Sequence, residues 1–156
     1  MLVLSRALFG MDLALSDFPV LKSVRGLGIS DSDIYANRLA PLFSYTNTFY
    51  HREPYLDLMH PDESEFGRYD FVICSDVLEH IPPPVDAAFE TLAKLVKPSG
   101  VLILTLPYSL EAATIEHFPG LQQFGILDLG GRSVLVNRVG DGYEVHDRLV
   151  FHNGPG

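Results

Sequence analysis

The chain has a single cysteine, Cys74, and no tryptophan in 156 residues. A lone thiol excludes an internal disulfide and a thiolate zinc cluster, and it makes a cytoplasmic setting the default. Basic residues are scarce as well. Eleven Lys and Arg stand against 20 Asp and Glu, a formal charge of −9. Duplex DNA or long RNA is repelled by such a surface on average, so no nucleic-acid partner is expected. Long apolar runs are missing too. The stretch "VLILTLPY" (101–108) is far too short to cross a bilayer, so no membrane partner is expected. The opening "MLVLSRALFGMDLAL" carries Arg6 and Asp12 inside its apolar run, and no small-residue cleavage site follows. That argues against a signal peptide. There is no internal repeat and no low-complexity tract.

With 47% apolar and 20% charged residues, the composition is that of a soluble globular chain with one core. Residues 1–21 read as a short helix around Leu2–Phe9 followed by a loop. "SVRGLGIS" (23–30) reads as a short strand running into a glycine turn. Ser30 with Asp33 resembles the start of a capping box. Tyr35, Leu39 and Leu42 then recur at helical spacing. "YTNTFYH" (45–51) is rich in β-branched and aromatic residues and reads as a strand, followed by loop through residue 68. "YDFVICS" (69–75) is a strong strand. In "VDAAFETLAKLV" (85–96), Val85, Ala88, Phe89, Leu92, Leu95 and Val96 share one helical face, and "KPSG" stops that helix. "VLILTLPY" is a continuous apolar strand, expected to be buried on both faces.

Strands alternating with helices predict a mostly parallel Rossmann-like sheet with right-handed crossovers. The last third, "FGILDL-GG-RSVLVNRV-GDG-YEVHDRLVFH", places glycine turns between three alternating runs, which predicts an antiparallel β meander over 120–152. The expected fold is therefore α/β. One domain spans 1–156: an N-terminal helix and loop (1–21), an α/β core (22–108) and the meander.

The stretch "YDFVICSDVLEHIPPP" (69–84) carries the chemistry. A core strand ends abruptly in Asp76, Glu79 and His80. In open α/β sheets ligands bind at the carboxyl ends of strands, so Ser75 and Asp76 are expected to open into a cleft. The bland alternative is that Asp76 caps a short helix, with Glu79 and His80 on its solvent face. On one α-helical turn, Asp76, Glu79 and His80 would face one side, a spacing that can also hold a divalent ion. Downstream, "TIEHFP" adds Glu116 and His117. His146 and His152 read as surface residues of the meander, and Cys74 as a packed core thiol.

Residues 69–108, "YDFVICSDVLEHIPPPVDAAFETLAKLVKPSGVLILTLPY", closely resemble the second half of class I S-adenosylmethionine-dependent methyltransferases. In that family a strand of the type "FDxVxxxxVLEH" precedes a helix, "LKPGG" and an "xLxxTxP" strand. "VRGLGISDSDIYANRLA" resembles the family's second strand and helix more loosely. The resemblance covers about residues 22–108. It implies S-adenosylmethionine as cofactor and methyl transfer to an O or N of a small-molecule or sugar-type acceptor. Two departures stand out. The family's Gly-x-Gly-x-Gly loop after its first strand is missing, with only "RGLGIS" in its place. Where the family closes its second strand with an acidic residue for the cofactor ribose, this chain has Gly28, with Asp31 three residues on. The closing "FHNGPG" reads as the middle of a domain, as in a truncated or degenerate member.

The resemblance thus implies cofactor contacts from Gly26, Gly28, Ser30, Asp31, Ser75 and Asp76. Either Glu53 or Asp57 takes the acidic place that the family keeps near the adenine amino group, unless both lie in a solvated loop. Asp76, His80 and His117 are the candidate catalytic groups, since an imidazole or carboxylate can take the acceptor's proton. Some members acting on catechol-like hydroxyls or RNA 3′ ends hold a metal with two carboxylates and a histidine. "VLEH" is common in this fold without one, so no metal ligand is assigned. Two rival readings are an inactive methyltransferase-like binding domain and a nucleotide-sugar binder using "RGLGIS" as a phosphate loop.

Overall fold

A computed structural model describes residues 1–108 and 110–153. The closing Gly-Pro-Gly, read above as mid-domain sequence, lies outside them. The chain forms two compact units. The first comprises Met1–Leu78 and Pro84–Thr105, the second Glu79–Pro83 and Leu106–Gly156.

The first unit is built on a parallel four-stranded sheet. Its strands are β1 (Leu21–Ile29), β2 (Phe43–Thr48), β3 (Tyr69–Ser75) and β4 (Val96–Thr105), in the order β2-β1-β3-β4. Three helices accompany it: α1 (Leu2–Phe9), α2 (Asp33–Leu39) and α3 (Asp86–Leu95). The path from β1 through α2 to β2 runs toward one edge, and that from β3 through α3 to β4 runs toward the other. Right-handed crossovers then place α2 and α3 on opposite faces. The α/β expectation holds: 69–75 pairs in parallel with the second apolar run, although that strand ends at Thr105, short of the Tyr108 expected.

The central strand β1 is shaped by its neighbours. Gly26 pairs with Tyr45 of β2 on one side and Phe71 of β3 on the other. Those two rings stack, with centroids 6.1 Å apart and planes at 16°. A Cβ on Gly26 would lie 2.6 and 2.7 Å from Phe71 Cε2 and Cε1, and one on Gly28 would lie 2.8 Å from Tyr45 Cζ. Both glycines therefore have a packing role. "RGLGIS" is strand through Ile29 rather than a loop. The same face carries the core of Leu4, Phe18, Leu39, Phe43, Phe71 and Ile73. Cys74 is fully buried within β3, as expected.

Several boundaries differ from the sequence reading. Helix α2 is capped by Ser32, whose Oγ accepts from the Ile34 N–H, not by Ser30. The side chain of Asn47 holds both the N–H and the C=O of Asp31, at 2.9 and 2.8 Å, so the chain is tied to the sheet until Ser32. On α3 the buried face is Ala88, Thr91, Leu92 and Leu95, while Phe89 is 39% exposed. "KPSG" does not separate helix from strand, because β4 begins at Val96 and absorbs those residues in an irregularity opposite Tyr69 and Phe71. Residues 101–104 are half-buried rather than buried on both faces, because β4 is an edge of this sheet with β3 as its one neighbour.

At the amino end of the strands, Asp70 ties three of them together. Its carboxylate accepts from Lys97 Nζ at 2.8 Å on each oxygen and from the Arg25 N–H at 2.8 Å.

The second unit contains the expected meander as an antiparallel sheet of β6 (Phe124–Asp128), β7 (Ser133–Val139) and β8 (Gly142–His146). A separate two-stranded ribbon pairs β5 (Ile115–Glu116) with β9 (His152–Asn153). No helix among the described residues is long and apolar enough to cross a membrane.

Gly26→Ala should lower the free energy of unfolding by about 1–3 kcal/mol, the usual cost of forcing a methyl into a packed core. Gly125→Ala, where nothing lies within 4 Å of the new Cβ, should leave it unchanged or slightly higher. Urea unfolding of both variants is the check, and equal losses would contradict the packing argument.

Candidate cofactor site

The sheet order reverses direction between β1 and β3. Such a switch point opens a crevice outside the carboxyl ends of the two strands. In register, Ile29 pairs with Cys74, so Ser30 and Ser75 are the next residues out. Ser30 and Asp76 both have left-handed backbone, at φ 55° and 53°. For non-glycine residues this conformation costs roughly 1–3 kcal/mol; Ser99, near the start of β4, shares it at φ 67°.

Each turn is held by its neighbours. The Ser30 N–H donates to Thr48 O at 2.8 Å, and Thr48 Oγ1 donates to Gly28 O at 2.9 Å. The Asp76 N–H donates to Thr105 O at 3.1 Å. Ser75 Oγ and Thr105 Oγ1 are 2.6 Å apart, and Thr105 Oγ1 also donates to Asp76 Oδ1 at 3.4 Å. Thr105 ends β4 in "LILTLP", and its place opposite Ser75 was not anticipated. A threonine closing an apolar strand was the available signal.

Asp31 is buried and largely committed to structure. Tyr35 donates to its Oδ1 at 2.7 Å, and the Tyr45 hydroxyl donates to its Oδ2. Burial pushes the Asp31 carboxyl above the usual range, while the bonds from Tyr45 and Tyr35 pull it partly back. The Tyr45 hydroxyl is pushed far up by burial and by Asp31. The Tyr35 hydroxyl is raised mainly by burial and Asp31, with a smaller push from the charge of Asp76.

Glu53 and Asp57 line a cavity of about 480 Å³, together with Leu27, Thr48, Tyr55 and Tyr69. This size suits a small-molecule site. Glu53 accepts from the Tyr55 N–H at 3.0 Å. Asp57 accepts from the Met59 N–H at 2.8 Å and faces His60 Nδ1 at 3.1 Å. Thr48 joins this cavity to the Ser30 turn. The first unit thus holds a pair of left-handed turns at the switch point and a cavity that has Thr48 in its wall and carries both carboxylates and the basic Arg25 and Arg68.

The other candidates lie in the second unit. His80 is exposed, and its Nδ1 is 2.7 Å from Leu149 O. His117 is exposed, and its backbone N–H donates to Phe151 O at 2.9 Å. The Phe151 N–H donates to Glu79 O at 2.5 Å, so Phe151 joins the Glu79–His80 segment to the His117 segment. His152 is not a surface residue. It is 9% exposed, with Nδ1 2.7 Å from Glu116 Oε2 and Nε2 3.1 Å from Ile81 O. The β5–β9 ribbon, too short to be seen in the sequence pattern, draws it inward. Asp76 does not share a helical turn with Glu79 and His80, since its own backbone is left-handed and the helical turn is a 3-10 turn limited to Leu78–His80. Among the described residues no three His, Cys, Asp or Glu side chains form a group that could hold a metal ion.

A family described as "Methyltransferase domain" matches residues 18–130, running from the first unit into the second. The chain belongs to that family, the class I S-adenosylmethionine-dependent methyltransferases, and S-adenosylmethionine is the methyl donor that membership implies. It is similar to a ubiquinone biosynthesis O-methyltransferase of Hydrogenovibrio crunogenus, with 28% identity over 129 residues that cover 82% of this chain and 47% of that protein. The chain thus spans about half the length of the curated relative it matches.

Two carboxylates should shift stability with pH in opposite directions. Asp31 has a raised folded pKa, so its contribution is complete below the ordinary value of about 3.9 and is lost as pH rises through the folded value. Asp70 is lowered. Burial opposes this, but Lys97 and the Arg25 N–H outweigh it, so its contribution is present above that value and lost as pH falls. In urea unfolding from pH 3 to 7, Asp31→Asn should gain on the wild type as pH rises, and Asp70→Asn should lose ground. The same slope in both variants would contradict the assignment.

Proposed function

We propose that this chain transfers a methyl group from S-adenosylmethionine to an oxygen or nitrogen of a small-molecule or sugar-type acceptor, as one methyltransferase-like domain over 1–156. The observation that carries the reading is the pair of left-handed, non-glycine residues, Ser30 and Asp76, at the facing ends of β1 and β3. Ser30, Ser75 and Asp76 would line the cofactor at the crevice, with Asp31, which Tyr35, Tyr45 and Asn47 already occupy, bracing the turn rather than touching the ligand, and Gly26 and Gly28 forming the strand beneath. Glu53 or Asp57 would meet the adenine amino group. Bound S-adenosylmethionine supplies an electrophilic methyl on a sulfonium. The chain's residues then have to orient the acceptor, exclude water and take up its proton. Asp76, His80 and His117 are the groups suited to that proton. The net charge of −9 disfavours a nucleic-acid acceptor. The single buried cysteine supports a cytoplasmic setting.

Binding of S-adenosylhomocysteine by this chain should be weak, above about 1 μM in calorimetry, because the glycines of "RGLGIS" are taken up in strand packing. Asp76→Ala should weaken it by about tenfold, or about 1.4 kcal/mol. No detectable binding by the wild type would favour the rival, an inactive binding domain. Unaltered affinity in Asp76→Ala would remove the site from the switch point.

A further inference from the structure

Two histidines in the second unit meet the same short segment, Leu149–His152. His80 Nδ1 faces the Leu149 carbonyl oxygen at 2.7 Å. A carbonyl only accepts, so Nδ1 must carry the proton in this contact. In the neutral ring the lone pair then sits on Nε2. His80 is exposed as a residue, and no hydrogen bond engages Nε2 among the described residues.

The segment that presents Leu149 is itself held firmly. The Phe151 N–H donates to Glu79 O and the Phe151 carbonyl accepts from the His117 N–H, at 2.5 and 2.9 Å. The Phe151 ring is 1% exposed and meets Phe118 edge to face, with centroids 5.4 Å apart. His152 locks the end. Its two ring nitrogens face two acceptors, the Ile81 carbonyl at 3.1 Å and the Glu116 carboxylate at 2.7 Å. The Ile81 carbonyl only accepts, so Nε2 carries a proton, and Nδ1 and the Glu116 carboxyl share a second one between them. Residues 79–81 are thus bonded three times to 149–152, at Glu79 O, His80 Nδ1 and Ile81 O.

We propose that Leu149–His152 is a clasp that sets the tautomer and aim of His80, with His152 and Glu116 as positioning residues. The clasp holds the Nδ1 proton in place, so Nε2 is the nitrogen that takes a proton from the methyl acceptor. The catalytic meaning rests on the reading of His80 as a proton acceptor. The tautomer itself does not.

The test is NMR of the protein labelled with 15N-histidine at about pH 7.5, a unit above the usual imidazole value. In the wild type His80 should be the Nδ1–H tautomer, and the Phe151 amide should exchange slowly. His152→Ala should release His80 to a mixture of tautomers and speed Phe151 exchange by about tenfold or more. His152→Gln retains a side-chain N–H toward Ile81 O and should restore much of both signals. Should His152→Ala fail to fold, Glu116→Ala, at a half-exposed residue, should give the same change to a smaller degree. An Nε2–H tautomer in the wild type would overturn the proposal, as would a tautomer unmoved in every variant that folds. S-adenosylhomocysteine affinity measured on the same samples separates the two readings. Absent binding with a fixed tautomer defeats the methyl-transfer reading alone, and intact binding with an unfixed tautomer defeats the clasp alone.

Discussion

The stacking of Tyr45 and Phe71 over Gly26 is the contact on which the first unit depends. Gly26 sits in the central strand with the two aromatic residues as its register partners on either side. The absence of a Cβ lets the rings meet above the backbone. From Phe71 the aromatic contacts pass edge to face through Phe43 to Phe18 and Phe9, which brings α1 onto the sheet. Such pairs contribute about 0.5–1.5 kcal/mol each beyond the area they bury. A side chain at position 26 would press on the Phe71 ring, the member of the run that meets both Tyr45 and Phe43.

The same packing determines the polar end of the sheet. Tyr45 is fixed by Phe71 at its ring and by Asp31 at its hydroxyl. Core packing at mid-strand therefore decides where the Asp31 carboxylate stands. Asn47, two residues further along β2, holds the Asp31 backbone from the same side. Between them they keep Asp31 buried and leave Ser30 to make the turn. A buried carboxylate is costly unless its oxygens are bonded, and two tyrosine hydroxyls meet that need without a counter-ion.

How much of this could be read in advance follows from the range of each interaction. The strand at 69–75, α3 and the meander come from local periodicity, and all three are present. The start of α2 was misplaced because Asn47, sixteen residues away, decides it. Burial of β4 was overestimated because an apolar run shows that a strand can be buried, not how many neighbours it has. The glycines of "RGLGIS" looked like loop residues, but their reason is the rings of two other strands. Ser75 and Asp76 were legible as a strand end. Thr105 beside them was not, since the pairing of β3 with β4 makes that contact. His152 was read as exposed because a two-residue ribbon leaves no pattern.

Ser30 and Asp76 differ from a glycine loop in a specific way. A glycine loop serves a ligand through backbone, because glycine accepts left-handed conformations and close approach at little steric cost. Ser30 and Asp76 adopt that conformation with side chains attached. If only the turn mattered, glycine would be the cheaper residue at both positions. Retaining a hydroxyl and a carboxylate there, at a cost of roughly 1–3 kcal/mol each, is understandable if the side chains themselves have a task at the crevice. On the cofactor reading proposed above, side-chain groups rather than backbone amides would face the ligand at this strand end. Each is braced by a neighbouring strand, Ser30 through Thr48 and Asp76 through Thr105. A site of that kind loses the close backbone approach of a glycine loop and keeps groups that can bond and exchange protons.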